Sequence, residues 1–136
     1  MLRTVELASE RLEISTDSAP AAIGPYSQAV THGGLLFCSG QIPLDPNTGE
    51  IVGSTVAQQT ERCLNNLAAV CLEAGTTIGN AVRCTIYTTH LDQFAELNAV
   101  YERFFDDPAP ARVTVGVSAL PKGALVEIEA TVALRR

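Results

Sequence analysis

The chain has 136 residues, 46% of them hydrophobic, and a formal net charge of −6. This length supports one domain with its own core, and the acidic balance disfavours non-specific binding to nucleic acid, which needs a basic footprint. No apolar run is long enough for a helical membrane span.

Residues 1–10 read as an N-terminal extension on a single domain over 1–136, with Met1 to Leu7 either a loose tail or an added edge strand. This stretch contains Glu6 and has no apolar secretion core, which argues against a signal peptide. Leu12 to Ser15 suits a short strand. Pro20 and the Gly24-Pro25 pair mark a loop, and Tyr26 opens the next strand. Ser27 to His32 and Leu35 to Ser39 flank Gly33-Gly34, the signal of a tight hairpin. Gly40 at the end of that strand marks a bulge or a close approach of backbone to ligand.

After a turn-rich loop from Leu44 to Gly53, Ser54-Thr55 caps a long helix to about Ala74. Its apolar stripe is Val56, Cys63, Leu64, Leu67, Val70, Cys71 and Ala74. Gly75 suits the C-terminal cap. Ala81 to Thr89 reads as a strand, with Val82, Cys84, Ile86 and Thr88 on one face. Leu91-Asp92 opens a second helix to about Phe105, which Asp106 to Pro110 ends. The four cysteines show no CxxC spacing and read as reduced, buried thiols of a cytoplasmic protein.

The last third reads as two alternating strands joined at Pro121-Lys122-Gly123. Arg112, Thr114, Gly116 and Ser118 share one face of the first. Val126, Ile128, Ala130 and Val132 form the apolar face of the second, opposite Glu127, Glu129 and Thr131. Paired as a hairpin, these strands place Thr114 opposite Glu127 and Arg112 opposite Glu129, with Arg112 and Glu127 as diagonal neighbours about 7 Å apart or less. Two readings of that pair stay open. One is a cross-strand ion pair worth ~0.2–1 kcal/mol. The other is a site where Arg112 holds an anionic substrate bidentately and Glu127 handles protons or water.

The element order β-β-β-α-β-α-β-β predicts an α+β two-layer sandwich, a mixed six-stranded sheet with both helices on one face. The bare face is then expected to be buried against other subunits.

Four blocks in order resemble the RidA/YjgF (reactive intermediate deaminase) family. They are Ala19 to Gln28 with its Gly-Pro-Tyr, Ser39-Gly40-Gln41-Ile42-Pro43, Phe94 to Phe105, and Pro110-Ala111-Arg112 through Leu120-Pro121-Lys122 to Glu127-Ile128-Glu129. They cover the chain from about Leu12 to Arg136. The resemblance implies a chorismate-mutase-like fold, a homotrimer and sites in the clefts between subunits. It implies hydrolysis of reactive 2-imino acids or their enamines, such as 2-aminoacrylate, 2-iminobutanoate and 2-iminopropanoate, to 2-keto acids and ammonia.

The partner implied is a small imino or keto acid with a carboxylate, without metal or organic cofactor. By the same resemblance Arg112 and Glu127 are the catalytic pair. Arg112 also binds substrate, with Tyr26 closing the pocket, Ser39 and Gly40 facing it, and Asn98 near the site or the subunit boundary. For Tyr26 the residue-level alternative is a tyrosine half-buried at a strand end, and for Ser39 and Gly40 a turn. Thr114 stands where many members carry Cys, so a thiolate mechanism is not expected. The rival readings are a translation-inhibitor endoribonuclease, disfavoured by the charge of −6, and a non-catalytic metabolite-binding or chaperone-like trimer.

Overall fold

The computed structural model describes residues 10–134, so the tail or edge strand expected over Met1 to Leu7 lies outside the described residues. The elements follow the expected order: β1 (Leu12–Ile14), β2 (Ala29–His32), β3 (Leu35–Gln41), α1 (Val56–Glu73), β4 (Ala81–Thr88), α2 (Phe94–Tyr101), β5 (Ala111–Gly116) and β6 (Val126–Ala133). They form one six-stranded mixed sheet in the order β1-β2-β3-β6-β4-β5. The β2–β3 hairpin turns on Gly33 and Gly34, whose φ angles of 62° and 84° lie in the left-handed region that glycine enters freely.

The expected hairpin of the last third is not formed. β6 pairs with β3 on one side and β4 on the other, both antiparallel, while β5 pairs only with β4, in parallel. The segment from Val117 to Leu125 rounds the end of β4, where Val117 N–H donates to Thr88 O and Thr89 N–H donates to Leu125 O. Arg112 sits beside Cys84, and Glu127 beside Tyr87 on the other edge of β4. They are not diagonal neighbours, and the ion-pair reading falls with that register.

Both helices pack on one face. Thr55 is the N-cap of α1: its hydroxyl accepts from Gln58 N–H at 3.1 Å, and the Gln58 side chain accepts in return from Thr55 N–H at 3.3 Å. Cys63, Leu64, Leu67, Val70 and Cys71 are fully buried beneath α1, against Leu36, Ile86, Val126, Ile128 and Val132 of the sheet. All four cysteines are buried free thiols. In β4 the alternation breaks at its start. Ala81 pairs with Val132 and Arg83 with Thr131, so Val82 is an extra residue that the register shift turns outward, 46% exposed instead of inward as expected.

The opposite face of the sheet is uncovered. It carries Phe37 and Val113, 42% and 38% exposed, among Thr85, Tyr87, Glu127, Glu129 and Thr131. Among the described residues no helix is long and apolar enough to cross a membrane.

Candidate active site

Alternation along β6 places one carboxylate. Val126, Ile128, Ala130 and Val132 enter the core, so Glu127 and Glu129 stand on the open face. Between Cys38 and Gln41 the register of β3 slips, so that Ser39 and Gly40 together oppose Glu129. This bulge brings the Gly40 backbone against Glu127. A Cβ at Gly40 would overlap the carboxylate, lying 3.0 Å from Glu127 Cδ. Of the two readings of Gly40 offered by the sequence, the bulge is the one formed, and the close approach seen is to the Glu127 side chain. Loss of water raises the Glu127 carboxyl pKa above its usual range, and the negative charge of Glu129 raises it further. Glu129 accepts from the Tyr87 hydroxyl at 3.1 Å.

The loop before β2 is tied to the end of β3, next to the Gly40 that packs on this carboxylate. Tyr26 lies in the loop and not at the strand start, and is 54% exposed. It folds back on its own turn, its hydroxyl accepting from Ile23 N–H at 3.3 Å. The Ser39 hydroxyl was expected to face the pocket. Instead it donates to Ser27 O at 2.6 Å and ties the end of β3 to this loop. Tyr26 and Gly40 both line a mainly apolar cavity of about 250 Å³. A larger cavity of about 550 Å³ shares Tyr26 but is lined by Glu13, Asp17 and Asn47, without Gly40. The smaller cavity is the one lined by Gly40, the residue packed against the Glu127 carboxylate.

Two buried side chains of α1 hold these strand ends. Gln59 accepts from Leu125 N–H at 2.8 Å and donates to Gly53 O at 3.0 Å. Asn66 donates to Leu44 O at 3.0 Å, just past Gly40. The sequence reading passed over both. Their signal was a seven-residue spacing of amides on the buried face of an otherwise apolar stripe.

The arginine belongs to the other face. Arg112 lies in one lateral row with Cys84, Ala130 and Cys38, the row that points towards the helices. Its Cζ is 4.8 Å from the centroid of the Tyr101 ring and 5.5 Å from that of Phe94. Phe94, Asn98 and Tyr101 recur at i, i+4 and i+7 on α2, so one face of that short helix carries both rings with Asn98 between them. Two buried oxygens on this side of the sheet lack hydrogen-bond partners, Asn98 Oδ1 and Thr114 Oγ1, while the Tyr101 hydroxyl is set against the Cys84 thiol. Buried polar atoms are seldom left unpaired, so these two mark polar positions that the chain itself does not satisfy. Phe94 and Tyr101 were given no role from the sequence, where they stand only within the Phe94 to Phe105 block.

Within one chain the site residues thus fall into two groups. Arg112, Asn98 and Thr114 gather beneath α2, whereas Glu127, Gly40 and Tyr26 gather on the open face and at its rim. Among the described residues no group of three His, Cys, Asp or Glu side chains could hold a metal ion.

The rings that flank Arg112 have a measurable consequence. Tyr101→Leu should raise KM several-fold to about thirtyfold with a smaller change in kcat, since a desolvated cation–π contact is worth ~0.5–2 kcal/mol. Tyr101→Phe keeps the ring and should keep KM near the native value. Equal KM values for the two variants would show that the ring does not position the fork.

A chorismate-mutase-like α+β protein, with charged groups set at both faces of one mixed sheet, is the class that this fold and site define. The chain belongs to the RidA/YjgF family. Residues 16–134 match the family described as endoribonuclease L-PSP. A RutC family protein of Sinorhizobium fredii is 52% identical over 121 residues, spanning 89% of this chain and 96% of the relative. The solved structure of YyfA from Yersinia pestis, of the Rid protein family, superposes with a TM-score of 0.88 at 47% identity, over 91% of this chain and 99% of that one. Escherichia coli TdcF with bound serine superposes with a TM-score of 0.85 at 42% identity, over 91% of this chain and 98% of that one.

Proposed function

We propose that the protein is a hydrolytic deaminase of 2-imino acids, working as a homotrimer with each site completed by two subunits. The observation that carries this reading is the division of the site. An aromatic-cradled Arg112 fork and a desolvated Glu127 carboxylate face opposite sides of one sheet. Two such groups act on one small molecule only when the helix-side group of one copy meets the open-face group of another. Phe37, Val82 and Val113, exposed on or beside the uncovered sheet face, support burial of that face between copies. TdcF binds serine, a small molecule that bears a carboxylate, as this substrate class does.

In this reading Arg112 holds the substrate carboxylate through two parallel hydrogen bonds. Asn98 and Thr114 offer oxygens to its remaining polar atoms. Glu127 of the adjoining copy removes a proton from water as the oxygen adds to the iminium carbon. It then returns that proton to the nitrogen, and the tetrahedral adduct expels ammonia as its hydroxyl gives up its proton to Glu127, leaving the 2-keto acid. A carboxyl group with a raised pKa serves both steps near neutral pH, because its two forms are then closer in free energy. The acidic chain, at −6, supports a small anionic metabolite held at one local cation over an RNA substrate.

The test is direct. Imines released by an amino-acid oxidase should disappear faster with the protein present, and light scattering should report three times the chain mass. Imine decay at the uncatalysed rate would end the deaminase reading.

The pH profile carries a second expectation. The base must be ionised, so activity should rise as pH passes through the Glu127 pKa, above the ordinary carboxylate range. Glu129→Gln removes one of the two causes that raise it. The acid limb should then move to lower pH while the plateau rate stays close to native. An acid limb that does not move would disconnect it from Glu127.

A further inference from the structure

The cavity lined by Gly40 has no part in the proposed proton chemistry, yet Gly40 also packs against the Glu127 carboxylate. It lies where β3 ends and β6 begins, at the strand ends that carry Gly40 and Glu127. Pro20, Ala21, Ile23, Ile42, Leu44 and Pro121 supply most of its wall. Its volume of about 250 Å³ matches roughly eight waters at ~30 Å³ each. That is more room than the methyl or ethyl group of the smallest imino acids needs.

The wall is mainly apolar, and two of its polar side chains are already engaged within the chain. The amide of Gln28 is engaged with its own loop, accepting from Thr16 N–H at 2.7 Å and donating to Thr16 O at 3.0 Å and Pro20 O at 2.8 Å. Lys122 is the charged residue in the lining, and its ammonium donates to Gly49 O at 3.0 Å. Gln41, buried at the strand end, is the remaining polar side chain of the wall. Above the cavity Ile23 is 79% exposed and Tyr26 54% exposed, large apolar surfaces without cover at its rim.

We propose that this cavity receives the hydrocarbon side chain of the imino acid, so that aliphatic substrates of leucine size are preferred over alanine-sized ones. The inference rests on the deaminase reading and adds the substrate class. With its carboxylate on Arg112 of one copy and its imine carbon at Glu127 of the next, the side chain continues past Gly40 into the cavity. Gly40 stands between the two, lining the cavity and packing against the Glu127 carboxylate.

The test compares imines generated from alanine and leucine by amino-acid oxidases, with the purified protein. kcat/KM should be at least about tenfold higher for the leucine-derived imine than for the alanine-derived one, from the added buried methylenes. Ala21 lies exposed at the cavity, so Ala21→Trp narrows it without disturbing the core. That variant should lower the leucine value about tenfold more than the alanine value. Turnover of the alanine-derived imine with no advantage for leucine would overturn the inference and leave the deaminase reading standing. An equal loss on both substrates in Ala21→Trp would do the same. No turnover of any imine would remove the deaminase reading itself.

Discussion

Co-expressing the Arg112→Ala and Glu127→Gln variants should restore about a quarter of native activity, although each variant alone is nearly inactive. In a cyclic trimer assembled at random from equal amounts, each site draws Arg112 from one chain and Glu127 from the next. Each residue is intact in half of the chains, so about one site in four is complete. The opposite faces of the two side chains require this outcome if the pair acts on one substrate. A site built within one chain would instead give no recovery, since every chain would lack one member of the pair. Activity in the mixed sample, measured after confirming mixed trimers by mass, separates the two cases. Zero recovery in confirmed mixed trimers would exclude a site shared between chains.

Arg112→Ala itself should slow imine turnover on the order of a hundredfold. In the proposed mechanism the fork makes two charge-assisted hydrogen bonds to a carboxylate, worth ~1.5–3 kcal/mol each in a partly desolvated site, and loss of ~3 kcal/mol corresponds to about that factor. Because the imine also hydrolyses unaided, the variant should lie close to background. Arg112→Lys should recover little. The charge survives, but the two-point geometry is lost, and an ammonium sits less well between the Tyr101 and Phe94 rings than a planar guanidinium. Full activity in Arg112→Lys would show that carboxylate clamping is not the job of this residue. Thr114→Ala, by contrast, should change the rate little.

Much of the fold was legible because periodicity is a local property. The stripe of α1, the Gly33-Gly34 turn and the alternation of β6 each follow from residues a few positions apart, and all three appear where expected. Pairing is not local. β5 and β6 are consecutive in sequence, and consecutive strands usually lie together, but β4 is inserted between them. That insertion also decides the candidate site. The polar faces of β5 and β6 look alike in sequence, yet Arg112 turns to the helices and Glu127 away from them. Family resemblance named the residues. It took the register to show that they cannot meet inside one chain. The aromatic seat stayed hidden because Phe94 and Tyr101 have the composition of core residues, and only their distance to Arg112 distinguishes them. Val82 was misplaced for a similar reason, since a bulge is one extra residue that alternation alone does not reveal.

The position of β6 bears on how the chain reaches this state. β1 to β3 form one sheet half and β4 with β5 another, and β6 alone joins them, with antiparallel partners along both of its edges. Until Val126–Ala133 is in place, β3 and β4 each present an unpaired edge of backbone donors and acceptors. The contacts that close those edges join segments far apart along the chain, which makes their formation slow relative to helix formation. A chain interrupted before Val126 would hold two open templates for strand addition by other molecules. Loss of this one segment should therefore convert a closed sheet into an aggregating one, rather than leave a smaller folded remnant.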